Sequence, residues 1–225
     1  MAVDSPRISV VETQLMLGQI HLDHGRMHDA FIMFEAAARS GEPRALNMLG
    51  RAYERGWGIT CNPAAAALYF TEAATAGDPW AAFNLADLYM AGRGVATDRN
   101  RACDLYVMAA RGGVAKALTM LGLLAEDGAT PMLPPHSAGP FFHAAATGGD
   151  CWGALNLGRL HLANGRPAAA TPWIRMALEQ GFTEVFRAII HLLDGVSDPA
   201  LHQLAAQAAG RLDTAPAPHN QTITR

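Results

Sequence analysis

Few residues in this 225-residue chain could perform metal or nucleophilic chemistry. The densest group of metal-binding side chains consists of His21, His24 and His28. This group spans an expected turn between two helices, so it has no fixed spacing on one helix face. We interpret these histidines as ordinary surface or turn residues, and we predict neither a metal site nor a cofactor.

The cysteines do not indicate catalysis either. A catalytic serine or cysteine needs a nearby histidine that a third group orients, and no motif of that kind appears in the sequence. The cysteines, Cys61, Cys103 and Cys151, are three in number and lack zinc-ligand spacing, so neither a disulfide framework nor a zinc site is expected. Such cysteines fit a reducing cytosol.

Two glycine-rich segments resemble phosphate-binding loops only superficially. They are Gly-Trp-Gly at 56–58 and Gly-Arg-Gly at 92–94. Neither has the following Gly-Lys-Ser/Thr or the preceding strand of a phosphate-binding loop. We therefore interpret both segments as turns.

Composition excludes further classes of partner. The chain is 50% hydrophobic and 16% charged, and its formal net charge is −3. Nucleic-acid binding usually needs a basic excess, which is absent. No apolar run reaches the roughly 18 residues of a membrane-spanning helix, and Asp4 and Glu12 stand where a signal peptide would be apolar. We predict a cytoplasmic protein that binds neither nucleic acid nor membrane.

A repeated pattern organises the chain. Leucine followed by glycine or alanine recurs at spacings of 32, 36, 36 and 36 residues. The anchor leucines of repeats one to five are Leu17, Leu49, Leu85, Leu121 and Leu157. Each anchor lies on one helical face and is followed by a second apolar helical face, which predicts two antiparallel helices per repeat. The small residue beside the anchor should let the second helix approach closely.

Glycine and polar residues punctuate the predicted helices. Gly56, Gly92 and Gly128 are expected to end first helices, and Asn62 and Asp98 are expected to cap second helices. The predicted fold is an all-α, right-handed superhelical solenoid of about five to six helix pairs. A concave groove should follow from its curvature.

The repeats predict the domain organisation. A single helical-repeat domain is expected over 10–210, between an N-terminal extension at 1–9 and a disordered tail at 211–225. Its parts are repeats at 10–42, 43–78, 79–114, 115–150 and 151–182, and capping helices at 183–210. Pro140 and Pro172 are expected to shorten or kink the second helices of repeats four and five, with Thr171 capping a late-starting helix.

The third repeat carries a family resemblance. The segment AAFNLADLYMAGRGVATDRNRACDLYVMAARGG resembles the Sel1-like repeat family, which is related to the tetratricopeptide repeat. Repeat two matches almost as well, repeats one and five look like plain tetratricopeptide units, and the resemblance covers about residues 10–182. It implies a protein-interaction scaffold without enzymatic activity, in which first helices line the concave groove.

Helix geometry then selects the groove residues. Positions five and two before each anchor, and two, five and six after it, should face the hollow. The partner-binding candidates are Arg44, Asn47, Arg51, Glu54, Arg55, Trp80, Phe83, Asp87, Met90, Glu126 and Trp152. They change from cationic to aromatic to mixed charge, which suits a peptide with acidic and bulky apolar side chains. Trp80 and Phe83 are the main candidates, although both could instead pack against a neighbouring repeat.

The predicted function is that of a scaffold or adaptor that binds a peptide or partner protein in the groove, with a regulatory or assembly role in a bacterium. One alternative is a hydrolase-type enzyme that uses groove carboxylates such as Glu54, Asp87 or Glu126 as acid or base. Another is a self-associating structural protein, including a homodimer. The arginines of repeat two could also form an ordinary solvated face.

Overall fold

A computed structural model describes residues 9–128 and 132–214 of the protein. The predicted extension at 1–9, apart from residue 9, lies outside the described residues, as does residue 131 of the proline-rich turn. Residues 215–225 of the predicted tail also lie outside them, while residues 211–214 belong to the last helix.

The described residues form twelve α-helices and one short 3₁₀ helix, without a strand, which confirms the predicted all-α fold. The α-helices are α1 Val10–Asp23, α2 Met27–Ala38, α3 Pro43–Arg55, α4 Pro63–Thr75, α5 Pro79–Ala91, α6 Arg99–Arg111, α7 Ala115–Asp127, α8 Ala138–Thr147, α9 Cys151–Ala163, α10 Pro167–Gln180, α11 Thr183–Leu193 and α12 Pro199–Thr214. The 3₁₀ helix Pro135–Ser137 precedes α8. None of the described helices has the length and hydropathy needed to cross a bilayer.

The helices group into two compact units. The N-terminal unit contains residues 9–117 and 132, and the C-terminal unit contains residues 118–128 and 133–214. Within the N-terminal unit, α1 packs on α2, α3 on α4 and α5 on α6, and each pair packs on the next. Within the C-terminal unit, α8, α9 and α10 pack in succession and α12 packs on α10 and α11. The single domain predicted over 10–210 stays a prediction.

Glycines beside the anchor leucines bring paired helices together, as predicted. A Cβ atom on Gly50 would lie 2.6 Å from Cε1 of Phe70, which is fully buried. In the C-terminal unit, a Cβ on Gly122 would lie 2.4 Å from Cε1 of Phe142. The missing side chain therefore makes room for the aromatic ring of the second helix in both units.

The turns after α3 and α5 need two glycines each, for different reasons. Gly56 and Gly92 end the helices with φ of 71° and 64°, as predicted. Gly94 also has a positive φ, and a Cβ there would lie 2.3 Å from the carbonyl carbon of Pro63. The second glycine thus lets each turn contact the backbone of the preceding repeat.

The predicted caps of the second helices are confirmed. The side chain of Asn62 accepts a hydrogen bond from the backbone N–H of Ala65 at 3.1 Å. The side chain of Asp98 accepts one from Arg101 at 2.9 Å. Each carboxylate or amide oxygen satisfies a backbone donor that the first helical turn leaves free.

The two prolines behave differently. Pro140 lies in the first turn of α8, which has only 10 residues, so the prediction of a short helix is confirmed. The late start predicted for α10 is wrong, because the helix begins at Pro167 and continues through Pro172. Thr171 is not its cap, since its hydroxyl donates to the carbonyl of Pro167 at 3.0 Å. Pro167 already occupies the first helical position, where a missing N–H has no cost.

Candidate partner-binding site

A hollow of about 660 Å³ opens on the first helices of the N-terminal unit. Helices α3 and α5 form most of it, and Asp78 and Lys116 complete its edge. Eight of the predicted residues line this hollow: Arg44, Asn47, Arg51, Glu54, Arg55, Trp80, Phe83 and Asp87. The sequence prediction omitted Met48, Asp78 and Asn84, which also line it.

The structure does not bring three predicted residues into this hollow. Met90 is partly buried on α5 and is not among the lining residues. Glu126 and Trp152 belong to the C-terminal unit. There, the Glu126 carboxylate pairs with the guanidinium of Arg159, and the Trp152 ring meets Phe182 edge-on with centroids 6.5 Å apart.

An amide pair forms the floor of the hollow. The Asn84 Nδ2 group donates to Oδ1 of Asn47 at 2.9 Å and so joins α5 to α3. Asn47 is only 6% exposed. Among the described residues, no hydrogen-bond acceptor is found for the Nδ2 group of Asn47. Because Asn47 lines the hollow, its amide can donate to a segment that binds there.

The buried Glu54 carboxylate is neutralised from two sides. Arg93, in the turn after α5, bonds to one carboxylate oxygen, and the Nε of Arg55 lies 3.7 Å from the other. The Gly-Arg-Gly turn was predicted only as a turn, so the role of Arg93 was missed. Since a buried carboxylate must be paired, Glu54 serves first to join this turn to α3.

Asp87 is hydrogen-bonded to the core of its own repeat. The hydroxyl of Tyr106 donates to Oδ1 of Asp87 at 2.6 Å. Burial raises the pKa of Asp87, although this bond and the charge of Lys116 oppose the rise. Burial also raises the pKa of Tyr106, and the neighbouring carboxylate raises it further. The phenol therefore stays protonated and acts as a donor.

The third carboxylate caps α5. Asp78 accepts a hydrogen bond from the backbone N–H of Ala81 at 2.6 Å. Burial raises the pKa of Asp78, and the opposing influences are hydrogen bonds from the backbone N–H groups of Ala81 and Trp80 and the charge of Arg44. Each of the three carboxylates that line the hollow thus has a partner within the protein.

The cations of the hollow are less well compensated. Among the described residues, no carboxylate lies within 4.0 Å of Arg44, Arg51 or Lys116. The guanidinium of Arg51 lies 5.0 Å from the ring centroid of Trp57. Burial lowers the pKa of Arg51, and the charge of Arg55 lowers it further, against the opposing effect of Glu54. An anion placed here would be stabilised.

The two main candidates differ in exposure. Trp80 is 51% exposed, whereas Phe83 is only 4% exposed. Their rings meet edge-on at 5.9 Å, and Phe83 also contacts Tyr106 at 5.6 Å. The Nζ of Lys116 lies 5.6 Å from the Phe83 centroid. Phe83 therefore packs in the core and supports Trp80, which presents the open aromatic surface.

Two of the clustered histidines and one cysteine contact backbone carbonyl groups. Nδ1 of His24 lies 2.7 Å from the carbonyl of Ile20, and Nδ1 of His28 lies 3.4 Å from the carbonyl of Gly58. Cys61 is exposed, and its thiol donates to the carbonyl of Glu54 at 3.1 Å. Over residues 9–128 and 132–214, no group of three or more histidine, cysteine or acidic side chains could hold a metal ion.

The repeats themselves match a known family. The Sel1 repeat model matches residues 43–78 and 81–114. These two segments are Sel1 repeats. They contain every residue that lines the hollow except Trp80, which stands between the two matches, and Lys116, which follows the second.

Solved structures resemble the chain over most of its length. One is a protective antigen of uropathogenic Escherichia coli strains that displays an SLR fold, with 26% identity and a TM-score of 0.70 over 89% of this chain. The match spans 46% of that antigen, so this chain is about half as long. Another is a Sel1 repeat protein from Oxalobacter formigenes, with 23% identity and a TM-score of 0.75 over 95% of this chain and 91% of that one.

A third similar structure is an immunity protein of Pseudomonas aeruginosa. It shares 16% identity and a TM-score of 0.62 over 92% of this chain and 81% of that chain. At this identity the likeness concerns the fold alone. No curated protein matches the sequence. Sel1 repeats are typically scaffolds for protein–protein interaction.

Proposed function

We propose that the protein is an interaction module that holds a segment of a partner protein in the hollow between α3 and α5. One observation carries the proposal: Trp80 stands 51% exposed in a hollow with Arg44, Arg51 and Lys116, and none of these three cations has a carboxylate within 4.0 Å among the described residues. A large amphipathic ring beside unpaired arginines is the composition typical of interface hot spots. The usual scaffold role of Sel1 repeats supports the same function.

Binding fits the carboxylates of the hollow better than catalysis. The raised pKa of Asp87 is a feature that favours an enzyme, but Tyr106 holds that carboxylate with a hydrogen bond. Glu54 is held by arginines. A general acid or base must reach the proton that it transfers, and both groups are turned to structural partners instead.

The proposal also covers the cellular location and the role of the protein. We place the protein in the cytoplasm of a bacterium, in a regulatory or assembly role. Three solved structures with a similar fold come from bacteria. Cys61 and Cys103 form no disulfide, which fits a reducing compartment. Self-association through an apolar flank or the final helices is the alternative.

Capture of the partner followed by reconstitution tests the proposal. The full chain and a Trp80→Ala/Arg51→Gln variant would be used to capture proteins that mass spectrometry identifies. The affinity of each purified partner would then be measured by calorimetry. Because truncation of a hot-spot tryptophan typically weakens binding about thirtyfold or more, we expect at least that loss in the variant.

A matched variant controls for general surface changes. Leu68→Ala/Arg101→Gln makes the same kind of substitutions outside the hollow, at Leu68, which is 73% exposed, and at the exposed Arg101. It should bind like the unmodified chain, and deuterium exchange should show that the partner protects residues 43–55 and 79–91. Equal affinity of both variants would exclude the hollow as the binding site. A concentration-dependent mass that the Trp80→Ala variant retains would favour self-association.

A further inference from the structure

The order of the side chains along the hollow indicates which kind of segment binds there. Arg44, Trp80 and Lys116 are 36 residues apart and occupy the same repeat position, at the start of successive first helices. All three line the hollow. Its rim is therefore a row of cation, aromatic ring and cation, with Arg51 adding a second cation on α3.

The charges of this row are available to a partner. The carboxylates Glu54, Asp78 and Asp87 have partners within the protein, as described above. Arg44 and Lys116 have no carboxylate within 4.0 Å among the described residues, and the same holds for Arg51. Since a partly buried cation is stabilised by a nearby anion, acidic groups are expected at both ends of the row.

One carboxylate cannot satisfy both ends. Helices that pack together lie roughly 8–10 Å apart. Arg44 and Lys116 stand two repeats apart, on α3 and α7, so we take their separation as about two such steps. On α3 itself, Arg44 and Arg51 are seven residues apart, or about 10.5 Å along the axis. The two oxygens of a single carboxylate are far closer than this. The row therefore calls for separate acidic side chains within a segment rather than for one free C-terminus.

Asn47 provides an independent sign of an extended backbone. Its side chain is more than nine-tenths buried, lines the hollow and accepts a bond from Asn84. Its own Nδ2 donors have no acceptor among the described residues. A main-chain carbonyl of a bound segment would satisfy them, because an extended chain leaves its carbonyl groups free.

We infer that the hollow holds an extended segment with an acidic residue, a bulky apolar residue and a second acidic residue, each three residues from the next. The acidic side chains lie at Arg44/Arg51 and at Lys116, and the apolar side chain lies on Trp80. Three residues of polyproline II chain advance about 9.3 Å and return to the same face, which matches one step between packed helices. The inference rests on the proposed function.

Synthetic peptides test this order directly. The probe is a fluorescein-labelled 13-residue peptide of serine and proline with Asp at positions 4 and 10 and Leu at position 7, acetylated and amidated at its ends. Its affinity for the full chain would be measured by fluorescence anisotropy. We expect at least tenfold weaker binding when both Asp are Asn, when Leu is Ser, or when the spacing is two residues instead of three.

Protein variants locate the contacts. Arg44→Gln and Lys116→Gln should each weaken the probe about tenfold, whereas Arg101→Gln, on the exposed surface of α6, should leave the affinity unchanged. High salt should weaken binding to the unmodified chain more than to either variant. Equal affinity for the Asp and Asn peptides would overturn the inference, as would a free C-terminal carboxylate that replaces both Asp residues without loss.

A random peptide library distinguishes failure of the inference from failure of the proposed function. Selected peptides that lack acidic residues but lose binding to the Trp80→Ala variant would overturn the inference and leave the hollow as a binding site. Selected peptides that bind the Trp80→Ala/Arg51→Gln variant as tightly as the unmodified chain would count against both. Acidic and apolar residues enriched at a spacing of three would support both.

Discussion

Two tryptophans at the same repeat position have different surroundings. Trp80 and Trp152 are 72 residues apart, or two full repeats. Trp80 is 51% exposed and faces the hollow of the N-terminal unit. Trp152 is partly buried and meets Phe182, which precedes α11 of the C-terminal unit. The repeat therefore fixes the position of the ring, and its neighbours decide whether the ring is available.

The acidic side chains show the same contrast. Glu54 and Glu126 also share a repeat position, and each is paired with an arginine. In the C-terminal unit, that pairing uses Arg159, which occupies the repeat position of Arg51. In the N-terminal unit, the residue at that position one repeat after Glu54 is Asp87, so Glu54 is paired by Arg93 and Arg55 instead. Arg51 itself has no carboxylate within 4.0 Å among the described residues. At this repeat position, the arginine of the C-terminal unit is paired with a carboxylate, and the arginine of the N-terminal unit is not.

The largest expected effect concerns the support beneath Trp80. Phe83→Ala should lower the free energy of unfolding by about 3–5 kcal/mol, because Phe83 is 4% exposed and packs on Trp80 and Tyr106. Trp80→Ala should lower it by less than about 1 kcal/mol, as is usual for exposed positions. Urea titrations followed by circular dichroism would measure both. Similar losses in the two variants would mean that Trp80 is a core residue and not a surface for binding.

The second effect should be alike in the two units, because both use the same close approach of helices. Gly50→Ala and Gly122→Ala should each cost about 1–3 kcal/mol, since the new methyl group would overlap a buried phenylalanine ring. The control is Gly210→Ala on α12, where a Cβ meets nothing within 4 Å. That change should stabilise by roughly 0.5–1 kcal/mol through helix propensity. A neutral result at Gly50 would show that repeat two tolerates a wider helix spacing.

The third effect concerns one repeat position, which Tyr106 holds in the N-terminal unit and Phe142 holds in the C-terminal unit. Replacing either residue by the other type should lower stability. Tyr106→Phe removes the donor that Asp87 uses, which should cost about 2 kcal/mol at neutral pH. The C-terminal unit already has Phe142 at this repeat position, and Leu123 at the position that Asp87 holds in repeat three. Phe142→Tyr should also destabilise, by about 1–3 kcal/mol, because its hydroxyl would be buried without an equivalent carboxylate. Thermal and urea unfolding of both variants would measure these losses.

The Tyr106→Phe effect should depend on pH. The folded pKa of Asp87 lies above its ordinary 3.8, so the folded state binds the proton more tightly and stability falls as pH rises through the raised pKa. Without the hydrogen bond of Tyr106 that pKa rises further, and the loss in the variant should grow as pH rises through the folded pKa of Asp87. In an Asp87→Asn background this added pH dependence should vanish. A loss that stays constant from pH 3 to pH 8 would contradict the role of Asp87.

The sequence pattern within a repeat predicted the helix caps and the turns, because both depend on residues that are close together in the chain. Asn62, Asp98 and the glycines after α3 and α5 act as their local sequence indicates. Most of the hollow was predicted for the same reason, since it lies on one face of each first helix.

Contacts between repeats were harder to predict. The pairing of Arg93 with Glu54 joins a turn to the first helix of the preceding repeat, and the bond from Asn84 to Asn47 likewise crosses repeats. The burial of Phe83 did have a signal, because the residues at its repeat position in repeats one and five are Leu15 and Leu155, both buried. Comparing the residues at the same position of every repeat, rather than the positions on one helix, would have predicted that Phe83 is buried.

The smallest expected effect returns to the two tryptophans. Trp152→Ala should cost roughly 1–2 kcal/mol of stability, because it removes a partly buried ring from Phe182. That is more than Trp80→Ala should cost, yet we expect Trp152→Ala to keep its affinity for a partner captured through the hollow. Unfolding and calorimetry on the same two variants would separate stability from binding. If Trp152→Ala weakened binding as much as Trp80→Ala, the surface of the C-terminal unit would have to be part of the binding site.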